Sequence, residues 1–128
     1  MDLNDLLTII KINNEIQKCS IEFYEASSKI IGNNLDKKIM DLYYIKGEEY
    51  LNIFDCIAIS IHDCNLPENV IKAHFSIMLI STIQSFLDMG KPFSDMVNNR
   101  ESLCLLYAKW LNEKYKNIRV KKRKCYDK

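Results

Sequence analysis

Apolar residues recur along this chain at spacings of three and four, in four separate stretches. In the first, positions 9, 12, 16, 19, 23, 26 and 30 are Ile, Ile, Ile, Cys, Phe, Ala and Ile. An unbroken repeat of that kind is the seam of a helix packed against other helices. Beside it runs a column of uncharged polar groups at similar spacing: Asn13, Gln17, Ser20, Tyr24 and Ser27. Gly32 in "IIGNN" is expected to close this helix as a left-handed cap.

The second stretch, from about Leu35 to His62, has the seam Met40, Tyr43, Gly47, Tyr50, Phe54, Ile57 and Ile61. It is expected to break at "DCNLPEN", where Asn65 and Glu68 have the form of a new helix start. The third, about 67 to 89, holds "FSIMLISTIQSFL", apolar nearly all round, which predicts the most buried helix. "MGKPFSD" ends it, and Ser94 can cap a fourth helix over about 95 to 118, striped by Val97, Cys104, Tyr107, Leu111 and Ile118. The "GKPF" link is also where one longer element could be split by a kink.

Three Gly and two Pro in 128 residues leave little room for hairpins. The prediction is an all-α chain: a single antiparallel four-helix bundle over residues 1–118, with a basic C-terminal tail over residues 119–128. Hydrophobic content of 48% against 27% charged speaks against global disorder.

Charge changes the picture at one place. Net charge is +1, but from Arg119 onward six bases face one acid, a net of +5, which leaves −4 on the rest. Arg119, Lys121, Lys122, Arg123 and Lys124 are therefore candidate contacts for a polyanion, whether nucleic acid or an anionic membrane, or for a protein partner. The competing expectation is a solubilising helix end, where bases favour the C-terminal dipole.

The start "MDLNDLLTIIKINNE" carries acids where a secretory signal carries bases. No apolar run approaches the roughly 18 residues of a membrane span, so the expectation is a cytoplasmic protein with no transmembrane segment. The five cysteines, at 19, 56, 64, 104 and 125, form no CxxC pair and are expected to be reduced. Of these, Cys19, Cys56 and Cys104 sit among apolar neighbours, where a thiol behaves as a small hydrophobe.

The first two helices carry "EFY" at 22–24, the turn "GNN" and "YLNIF" at 50–54, with 26 residues from Tyr24 to Tyr50. This register resembles the first helix pair of the rubrerythrin branch of the ferritin-like superfamily, over about residues 10–55. The resemblance implies a ferritin-like bundle and a di-iron site built from a Glu on one helix and a Glu-x-x-His on the next. Those ligand positions fall on Gln17, Gly47 and Tyr50. A neutral amide, a missing side chain and a phenol cannot supply the charged, converging ligands that iron requires. If Tyr107 repeats the family tyrosine in the second half, the ligand position there becomes Arg100, a cation.

The resemblance thus implies a scaffold whose metal site is lost. In it Tyr24, Tyr43 and Tyr50 would fill the vacated space, with Asn13, Gln17 and the hydroxyls satisfying one another. Gly47 would leave room for a large neighbour. Glu48 and Glu49 lie about 100° apart on a helix, so at most one can face inward, and both are expected at the solvated surface.

Among other candidates, His62, Cys64 and His74 match no strong zinc spacing. A Cys64–His74 pair lacks any strained nucleophile turn. No catalytic residue, cofactor or metal is assigned. The functional expectation is a non-catalytic interaction or scaffold protein, bound to a protein partner or to itself as a homodimer. The alternatives are a rubrerythrin-like metal-binding oxidoreductase with atypical ligands, and a small helical regulatory or host-interaction protein of unrelated ancestry.

Overall fold

Asp2 opens the first helix, its carboxylate accepting the Asp5 N–H at 2.8 Å. That satisfies one of the donors a helix start leaves free. The structure, a computed structural model, describes residues 2–30 and 36–126, with side chains as far as residue 117. Among the described residues it is all-α, with α1 (Leu3–Ile30), α2 (Lys37–His62), α3 (Glu68–Asp88), α4 (Phe93–Asn98) and α5 (Glu101–Tyr126).

The α1 seam is placed as its spacing predicts. Ile9, Ile16, Phe23 and Ala26 are buried, with Ile12 and Cys19 packed beside them. The predicted Gly32 cap lies outside the described residues. Asp36 caps α2 by accepting the Lys38 N–H at 3.1 Å, a signal the sequence reading passed over.

The α2–α3 junction differs from expectation. Asn65 does not open α3; it closes α2, donating its N–H to the Ser60 carbonyl at 2.8 Å, while the Cys64 N–H bonds Ile61 O. Cys64 takes the left-handed conformation at φ 61°, so this is a Schellman ending with Cys where Gly is usual. Pro67 then occupies the cap position without a side-chain bond, and Glu68 supplies the acid of the first turn.

α3 buries Ile71, Phe75, Leu79, Ile80, Ile83 and Phe86, but it is not enclosed all round. His74, Ile77, Ser81, Gln84 and Ser85 face outward. By length and apolar composition alone this helix could cross a membrane, and about a third of its most apolar stretch is buried inside the structure. The sequence criterion of an unbroken apolar run had missed this property, which core helices also possess.

The predicted fourth helix is two helices. Gly90, at φ 75°, ends α3, and Ser94 lies inside α4, where its N–H bonds Gly90 O, instead of capping a helix. A break at Asn99 and Arg100 then resets the helical phase. The buried stripe of α5 is consequently Leu103, Leu106 and Trp110, while Cys104, Tyr107 and Leu111 pack at its edge. α5 continues to Tyr126, past the predicted end at 118.

α1 lies antiparallel along α2. Glu22 meets Lys46 near one end of the pair, and Ile12 shares a groove with Ile53 and Cys56 farther along. α5 packs on both α2 and α3, α3 touches α1, and α4 lies among α2, α3 and α5. Ferritin-like bundles have one long crossover; here α2 passes to α3 through residues 63–67 alone, and α3 to α5 through α4.

Candidate interaction surface

The three substituted ligand positions do not converge. Gly47 and Tyr50 are buried on α2, whereas Gln17 faces solvent on α1. The space beside Gly47 is filled by aromatic rings. A Cβ at Gly47 would stand 2.9 Å from Phe93 Cε1 and 3.3 Å from Phe23 Cε2, so the missing side chain admits both rings.

Phe23 is the hub of this cluster. It stacks on Tyr43 and Phe86 with centroids 5.2 Å away in each case, and meets Phe93 edge-on at 5.9 Å. Such offset and edge-to-face pairs stabilise beyond their area burial. The expected tyrosine filling is corrected in one member. Tyr24 points outward, and Phe23, Phe86 and Phe93 join Tyr43 and Tyr50 in its stead. Nor do the hydroxyls meet Asn13 or Gln17: Tyr43 bonds the Met89 thioether at 3.6 Å and Tyr50 shares a 3.4 Å bond with Thr82. Burial, with Tyr44 beside it, holds the Tyr43 phenol above its ordinary pKa.

Polar residues elsewhere tie helices together. Arg100 donates to Asn52 Oδ1 at 2.7 Å, to Met96 O at 2.6 Å and to Glu48, fastening the α4–α5 junction to α2. Glu48 is thus an ion-pair partner, not merely a solvated residue, and Glu49 joins Glu22 on Lys46. Their hydrogen bonds raise the Lys46 pKa. At the α3–α5 end, Glu68 accepts from Lys109 at 2.7 Å and from the Trp110 indole at 3.4 Å, and Lys72 pairs with Glu113. The Lys109 bond holds the Glu68 carboxyl below its ordinary value.

His62, Cys64 and His74 are all exposed, and among the described residues no group of three His, Cys, Asp or Glu is placed to hold a metal. Cys19 and Cys104 are half-buried, and burial pushes both thiols up, which makes them poor nucleophiles. Cys56, expected in the apolar interior, is exposed. The candidate tail contacts Arg119, Lys121, Lys122, Arg123 and Lys124 fall on the last turns of α5, and their side chains lie outside the described residues.

What the structure does present is an exposed apolar face on α1. Leu3, Leu6, Leu7 and Ile10 stand at i, i+3, i+4 and i+7 of α1, on the side away from Ile9 and Ile16, and all four are exposed. Where α1 meets α2, an apolar groove of about 320 Å³ is lined by Ile12, Ile53, Cys56, Ile57 and Leu66. Sequence reasoning missed this face because along α1 it runs into the polar Asn14 and Gln17, and Gln17 and Tyr24 belong to the column read as uncharged polar groups. The signal that could have found it is a second three–four repeat, offset from the first.

No family model matches this chain, and no curated protein or solved structure matches it either.

Proposed function

We propose that this chain is a non-catalytic helical interaction protein, its four long helices forming an antiparallel four-helix bundle that displays the outer face of α1 to a protein partner. The observation that carries this reading is the exposed set Leu3, Leu6, Leu7 and Ile10. Scattered exposed apolar residues are ordinary, whereas a contiguous apolar face at helical spacing marks a contact site. The aromatic filling around Gly47 supports the scaffold half of the reading, because it occupies the interior with rings in place of reactive groups.

The test compares particle sizes of the wild type and a Leu7→Glu, Ile10→Glu variant, both purified and in lysate of cells that produce the protein. The expected result is a wild-type species larger than 15.1 kDa in at least one of these settings, reduced to the monomer in the variant. A wild type that runs as a free 15.1-kDa chain in both would overturn the reading.

A further inference from the structure

We infer that the occupant of the outer α1 face is a second copy of this chain, docked α1 against α1, parallel and in register. This rests on the interaction reading above and names its partner. The face is longer than its first four residues. Positions 3, 7, 10, 14, 17, 21 and 24 are Leu, Leu, Ile, Asn, Gln, Ile and Tyr, separated by four and three in strict alternation. An average spacing of 3.5 is the signature of a two-stranded coiled-coil seam, with 7, 14 and 21 at the a positions and 3, 10, 17 and 24 at d. All seven are exposed, the apolar five between 47% and 69%. The core face of α1, through Ile9, Ile16 and Phe23, lies on the opposite side, so docking there leaves the interior untouched.

Three features favour a like partner over an unlike one. Asn14 falls at an a position, where an amide facing its own counterpart specifies register and strand number at some cost in stability. An apolar groove on another protein would leave Asn14 and Gln17 without partners, a penalty for buried amides. In a symmetric pair each amide meets an amide and each apolar residue its own kind.

Charge sets the direction. The e positions are Asn4, Lys11, Lys18 and Glu25, and the g positions are Leu6, Asn13, Ser20 and Ser27. In a parallel pair e faces g, so Lys11 lies over Leu6 and Lys18 over Asn13, with no like charges opposed. The antiparallel arrangement that matches apolar layers would instead bring Lys11 beside the Lys18 of the second copy. A 28-residue helix is only about 42 Å long. Its one seam is small beside the roughly 800 Å² per partner of a standard interface, so association is expected at roughly micromolar concentration.

The experiment is sedimentation velocity on the purified full chain across roughly a hundredfold range around that concentration. The wild type should convert from 15.1 kDa to twice that mass. Leu7→Glu with Ile10→Glu should weaken dimerisation at least about 100-fold, with unchanged helicity by circular dichroism. Asn14→Val, which puts an apolar β-branched residue at a, should tighten it about tenfold, a gain that a misfolded variant could not produce. A purified wild type that stays monomeric, while the double variant still releases it from a larger species in lysate, overturns the second-copy inference and leaves the interaction reading standing. Asn14→Val dimers weaker than wild type would also overturn it. Monomers in every setting would sink both.

Discussion

α1 carries two stripes at the same three–four spacing, and their surroundings could hardly differ more. The inner stripe, Ile9, Ile16, Phe23 and Ala26, is buried against α2 and the aromatic cluster. The outer stripe, Leu3, Leu7, Ile10, Ile21 and Tyr24, meets solvent. Periodicity therefore says that a helix face wants a partner, and it does not say whether that partner belongs to the same chain. Composition separates the two. The inner stripe is apolar at every step, with Cys19 counted as a small hydrophobe, which suits a dry core. The outer one is interrupted by Asn14 and Gln17, groups a core would have to satisfy and a symmetric contact can satisfy with itself.

The comparison can be broken most forcefully at Phe23. Phe23→Ala should cost about 3 to 5 kcal/mol of folding stability by denaturant titration, since five aromatic neighbours lose a partner. A loss under about 1 kcal/mol would mean that the inner stripe does not hold the fold.

Gly47→Ala comes next. Better helix propensity would contribute about 1 kcal/mol. The clash with Phe93 and Phe23 should more than offset it, for a net loss of about 1 to 2 kcal/mol in the same titration. A more stable Gly47→Ala protein would show that Phe93 is not seated there.

Glu68 supplies a reference away from both stripes. Its carboxyl is held below the ordinary value of 4.5, chiefly by Lys109. A lowered folded-state pKa contributes stability at pH above the unfolded value and loses it as pH falls through the folded one. Stability should therefore decline from about pH 4.5 downward, and Glu68→Gln should flatten that decline by less than about 1 kcal/mol, the pair being partly exposed. A pH profile identical in the variant would remove Glu68 from the acid response.

The smallest effect belongs to the outer stripe. In protein dilute enough to be monomeric, Ile21→Ser should change folding stability by less than about 0.5 kcal/mol. A loss comparable to that of Phe23→Ala would place Ile21 in the fold and abolish the contrast.

Much of the fold was legible because the chain marks its helices twice, by apolar spacing and by Gly and Pro at their breaks. The all-α class, the α1 and α2 seams and the room beside Gly47 all follow from that. The fourth helix was misread because a straight stripe drawn from Val97 ignores the phase reset at Asn99 and Arg100. The start of α3 was misread because Asn65 offers its backbone to the end of α2 while its side chain imitates a cap. At the site, the lost ligand positions could be named from sequence. The identity of the filling rings could not, since Phe86 and Phe93 lie some forty residues beyond Gly47 and no local pattern links them.

The two-stripe account is tested most directly by the thermal midpoint of the wild-type chain as a function of its own concentration. A second copy that binds only the folded state raises that midpoint by mass action. The account predicts a midpoint that climbs with concentration in the wild type and stays level in the Leu7→Glu, Ile10→Glu variant. A wild-type midpoint that is the same at every concentration, from far below to far above roughly micromolar, would contradict it.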